Sequence, residues 1–190
     1  MKDKFAPLQQ ILGYKFNDIS LLEQALCHKS YINESKRNIS SYERLEFLGD
    51  SVLSVIVASY LFENFKTIPE GELTKLRASL VCEKSLCGFS REIGLGEFLR
   101  LGKGEEKGGG RERDSILADA FEAVLAAIYL DGGIEPAKKH ILRFIDKKLN
   151  CMATVAFKDY KTYLQEFIQK NPEEKLEYVL VGEEGPDHAK

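Results

Sequence analysis

Apolar residues recur at helical spacing along most of the chain. Residues 7–12 predict a short helix and 19–27 a second one, with Asn17 or Asp18 placed to cap it. The polar run 33–38 predicts a loop. Ser40 with Glu43 three residues later makes a capping-box pattern, so a long helix is expected from there to about Phe65. Pro69-Glu70-Gly71 breaks the chain, and 72–93 is helical again with a split near Glu83, closed by Gly94 and Gly96. Residues 102–113 carry five glycines among mixed charges and read as a mobile surface loop. Asp114 or Ser115 is placed to cap a helix running to Leu130, which Asp131-Gly132-Gly133 stops. Pro136 opens a last helix reaching about Asn150. No strand is predicted up to residue 150, and an all-α domain is expected.

Beyond Cys151 the pattern changes. Residues 159–170 are amphipathic, Asn171-Pro172 ends them, 175–181 alternate as a strand does, and Gly185-Pro186 marks a turn. One helix and one strand cannot bury a core by themselves. The expected organisation is therefore an all-α domain over 1–152, followed over 157–190 by the first helix and first strand of an incomplete α+β domain.

With 44% hydrophobic and 30% charged residues in 190, the chain is globular rather than disordered. No apolar run reaches the roughly 18 residues of a membrane span, and residues 1–7 lack an apolar signal core. A soluble, cytoplasmic protein without a membrane partner is expected. The four cysteines (Cys27, Cys82, Cys87, Cys151) show no zinc-knuckle spacing, and His28, His140 and His188 lie far apart, so reduced thiols and no zinc centre are expected. The net charge of −3 gives no basic surplus to attract nucleic acid.

The acidic residues change that picture. The long helix is apolar nearly all round (Leu45, Phe47, Leu48, Val52, Leu53, Val55, Ile56, Val57, Leu61, Phe62), which predicts a place in the middle of the domain. Yet Glu43, Glu46 and Asp50 share one stripe of it, their offsets of three and seven turning to about 300° and 340°. The helix after the glycine-rich segment is equally apolar. Ala118, Ala120, Ala123, Ala126 and Ala127 permit a close neighbour, and Asp119 and Glu122 sit on one face. If the two helices pack together, four or five carboxylates converge with no obvious Lys or Arg among them. Any single acid could be a solvated or capping residue; two pairs in two apolar helices favour a divalent cation. Oxygen ligands without His or Cys point to Mg²⁺, with Mn²⁺ able to substitute, and to phosphodiester hydrolysis. A di-iron carboxylate bundle would want Glu-x-x-His on two helices, a spacing absent from this sequence.

Residues 43–51, Glu-Arg-Leu-Glu-Phe-Leu-Gly-Asp-Ser, resemble the signature of the ribonuclease III family. Further similar stretches follow in order at 69–73, 77–81, 101–105 and 114–123, so the resemblance covers 8–150, and its order and spacing resemble the bacterial single-chain type. Residues 159–166 and 185–190 are similar to the opening of a double-stranded-RNA-binding domain. In that domain the basic half comes later; here five Lys face eight acidic residues from Ala156 on.

The resemblance implies a homodimeric endonuclease that cuts both strands of duplex RNA, leaving 5′-phosphates and short 3′ overhangs. Ribosomal RNA precursors and structured messengers are the implied substrates, and no small-molecule cofactor is implied. Glu46, Asp50, Asp119 and Glu122 match the family's Mg²⁺-binding acids, with Asp50 and Glu122 foremost in catalysis. Glu43, Glu70 and Glu105 match acids near the cleft and dimer boundary. Phe47 matches an aromatic that plugs into the partner, the alternative being an ordinary core residue. Gln165 and His188 match RNA-contacting positions. Lys75, Arg77, Lys103, Lys107, Arg111 and Arg113 are candidates for phosphate contacts. The competing reading is a dimer of the same fold that binds duplex RNA without cutting it.

Overall fold

The computed structural model describes residues 4–35 and 40–169, with side chains through 152. The elements are α1 (Ala6–Leu12), α2 (Ile19–Ala25), α3 (Lys29–Glu34), α4 (Glu43–Asn64), α5 (Glu70–Leu80), α6 (Glu83–Glu92), α7 (Lys103–Lys107), α8 (Asp114–Gly132) and α9 (Ile134–Gln169), with 3-10 turns at Leu95–Phe98 and Gly110–Glu112. Among the described residues the only β feature is an isolated parallel bridge between Cys27 and Arg100. Two compact units divide the chain, Met1–Lys148 and Leu149–Lys190. The packing described below belongs to the first.

α8 is the axis of that unit. From Ala123 to Ile128 every side chain is buried, as are Ile116, Leu117, Ala118, Ala120 and Phe121. A helix apolar on all sides needs neighbours on all sides, and α4, α6 and α2 supply them. Phe121 also anchors an aromatic cluster with Phe89, Phe144 and His140, with ring centroids 5.0 to 5.7 Å apart. Each of the three Phe rings contributes about 1.5–3 kcal/mol by leaving water. Gly133, at φ +84°, ends α8 in a conformation that L side chains rarely adopt.

The sequence placed α4 in the middle, and only its inner face is there. Leu45, Gly49, Val52, Leu53, Ile56, Val57 and Leu61 are buried. Phe47, Val55 and Phe62 form an open apolar stripe, 78%, 61% and 77% exposed. By length and composition α4 would also pass for a membrane span, which no uninterrupted apolar run announced. Its inner face packs on α8.

Other boundaries moved for local reasons. α2 takes Asp18 as its cap, the carboxylate accepting from the Ser20 amide at 2.9 Å. The Ser40–Glu43 capping box does not form, because α4 starts at Glu43 and that glutamate is its first residue. Neither Asp114 nor Ser115 caps α8; Arg113 occupies the cap position, and Asp114 pairs with Arg91. The split in 72–93 falls at Val81 and Cys82, between α5 and α6. The 33–38 loop is helical through Glu34, and residues 36–39 lie outside those described.

The glycine-rich segment 102–113 is not a loop but α7 and a 3-10 turn. Glu34 accepts the Lys103 amide at 2.9 Å, capping α7. The Arg111 guanidinium donates to the carbonyls of Gly96 and Leu99 and pairs with Glu106. The last helix does not stop near Asn150: residues 151–158 contain no Gly or Pro to break it, and α9 continues to Gln169. The strand expected at 175–181 lies outside the described residues.

Candidate metal centre

One residue without a side chain decides how near α4 and α8 come. A Cβ at Gly49 would lie 2.0 Å from the Glu122 carbonyl oxygen and 2.5 Å from its carbonyl carbon. Only glycine permits that approach. The alanines of α8 permit it from the other side, as their pattern predicted.

The close approach brings the acids of the two helices together. One carboxylate oxygen each from Glu46, Asp119 and Glu122 lie within 4.8 Å of one another. None of these three residues forms a salt bridge among the described residues, and all are partly buried. Desolvation is the main cause that raises all three above the usual carboxylate range. Glu122 is pushed up to about 8, with the charges of Asp50, Asp119 and Glu46 adding to its burial. Three anions in one half-buried spot repel, and a cation between them would relieve both the desolvation and the repulsion. The donor set consists of hard oxygens with neither thiol nor imidazole, which fits Mg²⁺ or Mn²⁺.

The other expected site residues stand in different surroundings. Asp50 is exposed and outside the three-oxygen group, although its charge acts on Glu122. Glu43 accepts from Lys29 at 3.2 Å and from the Ser41 hydroxyl at 3.1 Å, and these contacts hold it below the ordinary range. Glu105 pairs with Arg113 at 2.5 Å. Glu70 opens α5 and accepts from Thr74 at 2.9 Å. It lines a groove with Phe62, Leu73 and Arg77, and none of the three clustered acids lines that groove. Phe47 is not a core residue, being 78% exposed. Gln165 lies in α9, where side chains are not described, and His188 lies outside the described residues.

Two of the six cations considered for phosphate are committed elsewhere, Arg111 to three carbonyls and Glu106, and Arg113 to Glu105 and the Gly108 carbonyl. Lys75 pairs with Glu72 at the surface. Reasoning on the sequence passed over Gly49, for which a glycine inside an apolar helix was the available signal.

A family profile described as "Ribonuclease-III-like" matches residues 18–149. The chain belongs to the ribonuclease III family. It is 50% identical over 185 residues to ribonuclease 3 of Oceanobacillus iheyensis, covering 97% of this chain and 81% of the relative. Ribonuclease 3 of Caldanaerobacter subterraneus is 52% identical over 184 residues, covering 96% and 81%. The solved nuclease domain of ribonuclease III from Campylobacter jejuni superposes with a TM-score of 0.70 at 46% identity, over 76% of this chain and 97% of that one. That structure is described as flexible in a region involved in dimer formation. The ribonuclease III segment of this chain contains both α4 and α8, and thus the whole carboxylate cluster.

Proposed function

We propose that this ribonuclease III family member is a double-stranded-RNA endoribonuclease that hydrolyses phosphodiesters on both strands at a Mg²⁺ centre held by Glu46, Asp119 and Glu122, with Asp50 completing the set. The observation that carries the reading is the convergence of three carboxylate oxygens within 4.8 Å, none of them in a salt bridge among the described residues. A bound Mg²⁺ would supply the Lewis acidity that phosphodiester hydrolysis requires, and Mn²⁺ would serve in its place.

The chain's own groups divide the remaining work. Glu46, Asp119 and Glu122 bind, set at fixed spacing by the Gly49 contact. Glu122 holds a proton near neutral pH until a cation displaces it. Asp50, more open to solvent than the other three, carries the chemistry with Glu122. Products bear 5′-phosphates and short 3′ overhangs.

The partner is a second copy of the chain. The stripe of Phe47, Val55 and Phe62 is an apolar surface for such pairing, and a two-fold axis would present one centre to each strand of a duplex. Glu43, Glu70 and Glu105 border the cleft and dimer boundary. The chain acts in RNA processing, in the cytoplasm, with Gln165 and His188 as duplex contacts in a domain over 157–190.

The test uses a labelled duplex of about 30 base pairs at low salt, where phosphate attraction is strongest. Mg²⁺-dependent cuts in both strands, abolished by EDTA and by Asp50→Asn with Glu122→Gln, are expected. Binding without cutting would establish instead a non-cleaving duplex-RNA dimer.

A further inference from the structure

α4 and α8 carry five carboxylates in or beside the cluster: Glu43, Glu46, Asp50, Asp119 and Glu122. Among the described residues a single cation pairs with any of them. The Lys29 ammonium meets Glu43 Oε1 at 3.2 Å, and the other salt bridges involve none of the five. Glu43 stands one turn before Glu46 on the same stripe of α4, a spacing that sets β-carbons about 5–6 Å apart. Lys29 therefore brings a positive charge to the rim of the centre from α3, a third element.

The base of this side chain is fixed and its tip is free. The Cys27 carbonyl accepts the Tyr42 amide at 2.9 Å, which ties the turn before α3 to the start of α4. The His28 amide donates to the Arg100 carbonyl at 3.1 Å. The His28 imidazole accepts the Ser30 amide at 3.2 Å, capping α3 just before Lys29. The ammonium, by contrast, sits on a flexible four-carbon stem, and the Lys29 and Glu43 side chains are both half exposed or more. An ion pair in that much water contributes little to stability, so Lys29 can change partner at small cost.

The charge of the centre supplies a reason to change partner. A divalent cation offsets two of the five negative charges, and an arriving phosphodiester adds another. A cation at the rim lowers the repulsion that the phosphate meets. We propose that Lys29 is a substrate-contacting residue: its ammonium leaves Glu43 for a non-bridging oxygen of the RNA phosphate that enters the metal centre. This rests on the metal-centre reading above. One ion pair replaces another, and no covalent bond is made or broken.

The experiment measures cleavage of a labelled duplex of about 30 base pairs at saturating Mg²⁺ over a series of salt concentrations. The parent is compared with Lys29→Met, Lys29→Arg and Glu43→Gln. Deleting the charge in Lys29→Met is expected to raise KM about tenfold and to reduce the slope of log KM against log salt by about one, as the loss of one phosphate contact does. Lys29→Arg keeps the charge and should stay within about threefold of the parent. Glu43→Gln frees the ammonium and removes a repelling carboxylate, so it should lower KM about twofold or more. Lys29→Met and Glu43→Gln both break the ion pair; a KM raised alike in the two would mark a structural bond and overturn the proposal. An unchanged KM and salt slope in Lys29→Met would overturn it as well. Mn²⁺ titration of the metal-free proteins by calorimetry separates the two readings. Lys29→Met is expected to bind Mn²⁺ at least as tightly as the parent, because the charge it loses repels a cation. Weaker Mn²⁺ binding with a lowered melting temperature in EDTA would assign Lys29 to the fold and overturn the contact. If the parent takes up no Mn²⁺, the metal-centre reading fails and the role of Lys29 falls with it. If the parent binds Mn²⁺ and Lys29→Met leaves KM unmoved, the metal-centre reading stands and the contact alone is overturned.

Discussion

Gly49 on α4 and the backbone of Glu122 on α8 occupy one point of contact, too close for any β-carbon between them. The obstacle a side chain would meet is a main-chain carbonyl, which no rotamer change moves aside. Gly49→Ala is therefore expected to separate the helices, destabilising the fold by about 3 kcal/mol, at the upper end of core overpacking. Calorimetric melting in EDTA checks the first effect, and loss of Mn²⁺ binding checks that the wedge also opens the carboxylate cluster.

The metal-free protein should lose stability as pH rises from about 4.5 to about 8. An acid whose pKa is higher in the fold (Glu122, about 8) than its ordinary 4.5 favours folding fully below 4.5, and that advantage is lost steadily until pH has climbed through 8. The slope cannot exceed about 1.4 kcal/mol per pH unit, and water reaching the half-buried group reduces it. Melting temperatures between pH 6.5 and 8.5 in EDTA should fall in the parent and stay flat in Glu122→Gln. Mg²⁺ should flatten the parent's slope as well; a parent curve already flat in EDTA would contradict this account.

His140 gives the opposite sign on the acid side. Burial, reinforced by the Arg143 charge, pushes its imidazole down to about 4. The unfolded chain takes up a proton near pH 6.5 while the fold refuses one, so stability present above 6.5 is lost on the way down to 4. About 3 kcal/mol is at stake over that interval. His140→Phe preserves a ring beside Phe121 and Phe144. Its melting temperature should fall less steeply than the parent's between pH 6.5 and 4.5, and parallel curves would exclude His140 as the cause.

Phe47 and Phe62 test the open face of α4. Both are more than three-quarters exposed, so replacing them with Ser should alter monomer stability by no more than about 0.5 kcal/mol. Sedimentation of the double variant should show a monomer at concentrations where the parent sediments as a dimer. Cleavage of duplex RNA should drop along with the dimer, while Mn²⁺ affinity per chain should persist.

The sequence by itself determined the helical character of residues 7–150 and the two acid-bearing apolar helices, because both are local matters of periodicity and spacing. Its capping reading left Asn17 and Asp18 open, of which Asp18 is the cap, and failed at Glu43 and Asp114, where the acids pair with Lys29 and Arg91 from other segments. Residues 102–113 looked like a loop because glycine lowers helix propensity; Glu34 and Arg111, reaching from or to distant carbonyls and amides, supply the missing hydrogen bonds. Only the tertiary structure decided that α8 rather than α4 is enclosed and that Asp50 stands outside the tight group of oxygens. Periodicity fixes which residues share a face of one helix. The approach of two helices, and the water it excludes, depends on contacts such as Gly49 against Glu122 that lie 73 positions apart.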